Sequence, residues 1–491
     1  MAAILRLAVL FSALGLGYSL YIDGCPLYGC RPSGSFSFYL QVPRNNVSIN
    51  WETQFVFDAV PKGLGCVSDS VNIVCPSNGP FSTDTGYMSL YNTNGTIRWR
   101  DTVLKFPTLP MIDNYGDVTG SDGLNLVHYD CDGKTYPIIK CYGLKPMFNM
   151  QLVGTMYLLL VSEQGGLVVR ETNAIPVAEI FLNDTIQRTN GTFLPISQPV
   201  VNGQRFYLLT EFVPEIDEFD PSILNLQRLY AIDVNNRPAN IMTIAWCYDF
   251  EMERSDDNFE STIATRENKI KHIADSIQGQ QNVLWNSNTG SVYVALPPPY
   301  LSKSITQRSF WGFRDAGDSP ALSIRSDLDV IHMATFEADT SDDEKFHSIN
   351  SDNDMWIATS DVKLSSVKLD GKISRTIDVA ALVGADVTMT SSLVLVREND
   401  TDNDVLIFGA NITKPSNSPL LRSIGVNLAS KNFVLAIDTS AGKLLWVFSV
   451  PDDYEVKGQI SGFSGASYRE LDQLIFYMEN SKKTAKILSI H

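Results

Sequence analysis

Three short runs of this 491-residue chain set oxygen ligands at alternate positions, the spacing with which a loop wraps a hard cation. They are Asp130-Cys131-Asp132-Gly133, Asp352-Asn353-Asp354 and Asp400-Thr401-Asp402-Asn403-Asp404. None completes a calcium loop with its closing bidentate glutamate. In the first, Asp-Gly is the pair a hairpin turn prefers, so a turn is the simpler reading. The other two leave Asp352, Asp354, Asp400, Asp402 and Asp404 as calcium candidates, against the plainer reading of solvated loops. No other metal or cofactor is called for.

Other chemistry finds little footing. There is no His-Glu-x-x-His, no Gly-x-Ser-x-Gly and no Cys-x-x-Cys. Gly462-Phe463-Ser464-Gly465 comes nearest to a nucleophile elbow, but its second glycine falls one position early. The five histidines are His128, His272, His332, His347 and His491, with no two at metal-ligand spacing. His128 lies in an apolar strand, where a satisfied core or hairpin residue is expected. Carboxylates are plentiful, yet nothing in the sequence places two at the separation glycoside hydrolysis requires. No catalytic residue is assigned.

The seven cysteines fall into three close pairs, Cys25–Cys30, Cys66–Cys75 and Cys131–Cys141, which read as disulfides. Cys247 remains, in the apolar run Ala245-Trp-Cys-Tyr, and reads as a buried small hydrophobe. Disulfides belong to an oxidising compartment, and two further features agree. Residues 1–19 carry Arg6 and a short apolar run followed by small residues, the pattern of a cleaved secretory signal. Six Asn-x-Ser/Thr sequons follow, at Asn46, Asn94, Asn183, Asn190, Asn399 and Asn411. No later stretch is apolar for the ~18 residues a membrane span needs. The expectation is a secreted, extracellular glycoprotein. With 55 acidic against 38 basic residues the net charge is −17, which repels nucleic acid and anionic membranes.

What must position any site is a repeated hairpin: an apolar strand, a polar turn containing Gly or Asn, and a second strand bearing an aromatic. Its clearest copy runs from Asn432 through Ala436-Ile-Asp-Thr-Ser-Ala-Gly-Lys-Leu-Leu-Trp446. Others run from Gly86 through Tyr91 to Trp99, and from Arg228 through Ala231 to Trp246. Eight anchors recur, about forty residues apart early in the chain and sixty to seventy later, the sign of a closed ring of repeats. The fold class is therefore all-β: a seven- or eight-bladed β-propeller of four-stranded antiparallel blades, eight fitting the anchors slightly better. Residues 20–34 form a Cys-containing N-terminal segment and 35–491 the propeller, with polar inserts near 251–280, 339–354 and 399–417. The segment Ser35–Gln41 is expected to close the ring against the C-terminal repeat, removing a sheet edge.

The run Ala436-Ile-Asp-Thr-Ser-Ala-Gly-Lys-Leu-Leu-Trp446 resembles the repeat of pyrroloquinoline-quinone-type, quinoprotein-like β-propellers. The resemblance spans most of the chain as architecture and only short stretches as motif. It implies that Trp99, Trp246 and Trp446 dock between neighbouring blades. Enzymes of that family often carry adjacent cysteines over the cofactor, and this chain has none. Two functions follow as expectations. The first is a secreted, calcium-associated binding or matrix protein whose partner is an extracellular protein, glycan or mineral. The second is a secreted quinoprotein-like oxidoreductase or hydrolase working in the propeller channel.

Overall fold

The computed structural model describes residues 24–491 apart from short internal stretches, the longest being 59–63, 79–85, 141–146, 171–175, 236–240, 251–262, 301–306, 337–354, 398–403 and 465–471. Strands dominate. They make seven sheets of four or more strands, ordered along the chain as a β-propeller requires, each strand antiparallel to its sequence neighbour. The ten-stranded sheet holds two sets, one within 67–104 and one formed by 454–490 with Ile49–Glu52. Phe57–Asp58 ties the two sets, pairing with Ala485 and Thr484 on one side and Asn78 on the other. Counted as one blade or two, this sheet makes the ring seven- or eight-bladed.

Strand composition follows from position in a blade. Central strands are packed on both faces and read as continuous apolar runs. Val405-Leu-Ile-Phe408, Phe433–Ile437 and Leu474–Met478 are almost wholly excluded from solvent. Outer strands such as Ile97–Leu104 and Ile373–Asp378 are mostly exposed or half-buried, each with one buried residue, Leu104 and Ile377. Asp404–Ile412, expected to lie within a polar insert at 399–417, is one of the central strands. Its Asn- and Asp-rich flanks conceal that apolar run in the sequence.

A β-bulge recurs at one register position between the third and outer strands. It follows the pairs Leu90–Trp99, Val168–Ala178, Ala231–Trp246, Gly312–Ile324, Ser366–Arg375, Ala436–Trp446 and Ser489–Trp51. Bulges re-aim a side chain, and here the outer-strand residue reaches the polar turn of the next repeat. Trp99 stacks on Tyr129 at 4.7 Å between ring centroids. A Cβ on Gly133 would lie 2.5 Å from Trp99, one on Gly95 2.5 Å from Trp51, and one on Gly442 2.4 Å from Arg375. Trp246 donates from Nε1 to Asp315 Oδ1 at 3.0 Å, and Trp446 is buried in a core shared by the 404–449 and 454–490 strands. The turn glycine and the aromatic are thus two halves of one contact between successive repeats.

Gly133 also has φ +80°, a conformation side chains resist. Gly133→Ala is expected to cost about 1–3 kcal/mol in backbone strain plus the displacement of Trp99. Gly290→Ala, at φ +61° with nothing within 4 Å, carries strain alone. Urea midpoints should therefore fall further for the first variant than for the second; equal shifts would mean that Trp99 does not press on the turn.

Ring closure differs from the expectation. Ser37–Tyr39 pairs in parallel with Val394–Arg397, not with the C-terminal repeat. Ile49–Glu52 takes the closing role against Thr484–Ile490. Phe36, Phe38 and Leu40 explain the difference: all three are buried, which suits a strand enclosed on every side rather than one at the rim.

Candidate functional site

In a propeller the first place to look for chemistry is the channel at the ring's centre, edged by the innermost strand of each blade. Here the chain's own N-terminal segment runs there. Its carbonyls meet the innermost strands in chain order. Cys25 exchanges hydrogen bonds with Ser68, and the Pro26 carbonyl accepts from Ile112 N at 2.9 Å. Pro32 accepts from Val201 N at 2.7 Å, Ser33 from Trp285 N at 2.9 Å, Ser35 from Thr335 N at 2.9 Å and Phe36 from Leu395 N at 2.9 Å. Edge N–H groups that would otherwise face the channel unpaired are satisfied this way. Cys25–Cys30 and Ser33–Phe38 are buried throughout.

Glycine, proline and a short disulfide give the segment its path. Cys25 and Cys30 are bonded, as are Cys66 and Cys75. Gly34 has no room for a side chain, since a Cβ would lie 2.7 Å from Val200 Cγ1. Phe36 adopts φ +51°, a strained value for a bulky residue that persists only where the surroundings dictate it. One side chain of the ring grips the segment directly. Gln459 Nε2 donates to the Leu27 carbonyl at 3.0 Å and lies 3.4 Å from the Cys66 carbonyl, while Gly29 N donates to Gln459 Oε1 at 2.8 Å. The two disulfide loops therefore meet at one buried amide.

Charged clusters elsewhere join repeats. Arg205 is held by Asp233 and Asp315, and the hydrogen bond to Asp233 leads in driving its pKa further up. Burial disfavours the Asp315 carboxylate, but Tyr207 at 2.5 Å and Arg205 at 2.8 Å outweigh it and hold its pKa below the usual range. Arg228 bridges Asp184 and Asp249 and lies 4.1 Å over the Phe193 ring. Deepest is Lys269, on the helix Arg266–Ile277 of the insert expected at 251–280. Its ammonium sits 2.9 Å from Glu211 Oε1 and donates to the Phe212 carbonyl at 2.7 Å, with the Lys269 side chain fully buried and that of Glu211 nearly so. His332 is half-buried; desolvation, helped by Arg308, pushes its pKa down to about 3, so it is neutral.

The residues singled out by sequence are scattered. Among the calcium candidates only Asp404 is described, and both its oxygens accept from Arg397, at 2.7 and 2.9 Å. Asp352, Asp354, Asp400 and Asp402 lie outside the described residues, as does all of 339–354. Among the described residues no group of three or more His, Cys, Asp or Glu is placed to hold a metal ion. Asp130–Gly133 is a hairpin turn closed by Gly133 N on the Asp130 carbonyl at 2.8 Å. His128 Nδ1 is 2.9 Å from Thr119 Oγ1, and Ser461–Phe463 is an innermost strand rather than an elbow.

Among the described residues Cys131 is without a disulfide partner, at the turn after Asp130; its expected partner Cys141 lies outside the described residues. One cysteine expectation needs correction. Cys247 is exposed, not buried. It alternates with Trp246 on the outer strand Ile241–Phe250, and the period of two that turns Trp246 inward turns Cys247 out. Desolvation raises its pKa, so its thiol is no better a nucleophile for that exposure. Of the sequons, Asn94, Asn183 and Asn190 are exposed on hairpins, Asn411 is half-buried, and Asn46 and Asn399 lie outside the described residues. Asn183 and Thr192 face each other across one hairpin, as do Asn190 and Thr185, each threonine donating to the opposite asparagine at 2.9 and 2.8 Å.

A polar cleft of about 430 Å³ opens between the 404–449 and 454–490 strands, lined among others by Asn411, Asn432, Glu455, Lys457, Glu479 and Asn480. Of these the sequence marks Asn411, as a sequon, and Asn432, as the start of the clearest repeat.

No protein-family model matches the chain, and no curated protein matches it. Solved structures give distant likenesses. BamB from Moraxella catarrhalis is 9% identical, with 90% of this chain and 99% of that one covered and a TM-score of 0.45. A quinohemoprotein alcohol dehydrogenase from Pseudomonas putida is 9% identical over 95% and 80%, with a TM-score of 0.43. The C-terminal WD40 domain of Sif2 is 6% identical over 91% and 98%, with a TM-score of 0.44. These proteins differ in function, and likeness at this level carries no argument about activity. The class this chain belongs to, the β-propellers, rests on its own sheets.

Proposed function

We propose that this chain is an exported, disulfide-bonded glycoprotein that works by binding, as an extracellular recognition or matrix protein, with no reaction in its channel. One observation carries this reading: the ring's centre is filled by Cys25–Phe38, whose carbonyls satisfy the innermost strands. A quinone in that place would have to displace the Cys25–Cys30 loop and orphan those N–H groups, so the residues present do not fit it. No step is assigned to such a group. Two disulfides among the described residues support an oxidising compartment, and the acidic surface favours a basic or cation-bearing partner. Recognition then falls to the inserts, the turns and the cleft beside Asn411.

The test is to secrete the full chain from glycosylating cells, then assay dye reduction with added quinone and calcium and record its visible absorption. A chromophore beyond the aromatic side chains, or calcium-dependent turnover, would overturn the reading. The proposal expects neither, together with an N-terminus near residue 20 and sugar on the exposed sequons. Calcium association is the finer part: titration with calcium should raise the melting temperature, and an unchanged temperature would remove it.

A further inference from the structure

The cleft between the 404–449 and 454–490 strands has a lining unlike a pocket for an apolar ligand. Its about 430 Å³ are walled by carboxylates, amides, hydroxyls and two lysines, with Ala429 the sole apolar residue of the lining. Glu455 and Glu479 stand directly opposite each other on paired strands, an arrangement that costs energy in itself. Lys457 offsets one of them, 2.6 Å from Glu455. Beside the aliphatic stems of these side chains, such a surface offers acceptors and donors, several of them charged, to a hydroxyl-rich ring.

Asn411 stands in the wall of this cleft and is also the acceptor of the sequon Asn411-Ile412-Thr413. Its Nδ2 donates one hydrogen to Asn432 Oδ1 at 2.9 Å. A primary amide carries two, and the second is the one an N-linked sugar replaces. We propose that the cleft is the seat of the first sugars of a glycan on Asn411, bridging the seam between these two neighbouring sets of strands. The modification draws on a lipid-linked oligosaccharyl diphosphate. The bond from sugar C1 to Nδ2 forms as the C1–oxygen bond to the diphosphate breaks; Nδ2 loses a proton and the diphosphate leaves with the bonding electron pair. The remaining N–H keeps Asn432. The inference rests on the export reading above and adds that this glycan, unlike those on exposed hairpins, is an internal ligand of the fold.

The test uses the full chain secreted from glycosylating cells. Glycopeptide mass spectrometry reads occupancy at Asn94, Asn183, Asn190 and Asn411, and a peptide-N-glycosidase is applied to native and to denatured protein. Asn411 is expected to be occupied and, in the native protein, to lose its glycan about tenfold or more slowly than Asn94, because release waits on local opening of the seam. Denaturation should abolish the difference. Occupied hairpin sequons with a bare Asn411 would overturn this inference alone, as would equal release from Asn411 and Asn94 in the native protein. Bare sequons throughout would overturn it together with the export reading.

Discussion

Replacing Lys269 with methionine is expected to destabilise the protein by about 3–5 kcal/mol, the range for breaking a buried ion pair from one side. Methionine fills nearly the same volume and keeps the apolar contact with Phe219, over whose ring the ammonium lies at 5.6 Å. What is lost is charge. Glu211 would stay buried with Gln227 Nε2 at 3.1 Å and Tyr300 N at 3.4 Å as its remaining donors. Neither cancels a full negative charge in a site that water does not reach. The double variant Lys269→Met, Glu211→Leu removes both desolvation penalties and is expected to recover much of the loss. Urea denaturation of both variants checks this. A single-variant loss of less than about 1 kcal/mol, the worth of a surface pair, would show that solvent reaches the site.

A second large effect is expected at Gln459. Replacement by leucine leaves the Gly29 amide without its acceptor in the interior, while the Leu27 carbonyl keeps the Cys30 amide at 3.0 Å. An orphaned buried amide costs about 1–3 kcal/mol, so the variant should lose about that much. The loss should be local as well as global. Segment 25–40 should open at lower denaturant than the sheets, whereas the strands far from the channel keep their protection. Uniform loss without early opening of the segment would mean that Gln459 serves blade packing and does not grip the N-terminal chain.

The repeat was legible in sequence where it was spelled with tryptophan. Trp99, Trp246 and Trp446 stand at the shared bulge position. Trp51 stands there too and escaped notice, because the strand it completes is contributed by the other end of the chain. Ile324 and Arg375 fill the same position with other chemistry, which no motif search recognises. The Cys25–Cys30 pair could be read from its spacing. Its location could not, since the residues that hold it, Ser68, Ile112 and Gln459, are named by the closed ring and by nothing local. The cleft behaves likewise: Asn411 announces itself as a sequon, while Glu455 and Glu479 come beside it only when neighbouring strands pack.

The filled channel is the claim on which the functional reading turns, and native-state hydrogen exchange of the full chain tests it most directly. Peptides covering residues 25–40 should exchange as slowly as Asp404–Ile412 and Gln473–Asn480, because their surroundings are equally closed to water. Exchange of that segment as fast as an exposed hairpin turn such as Asn92–Thr96 would leave the channel open. It would also contradict the proposal of a binding scaffold that has sealed its own centre.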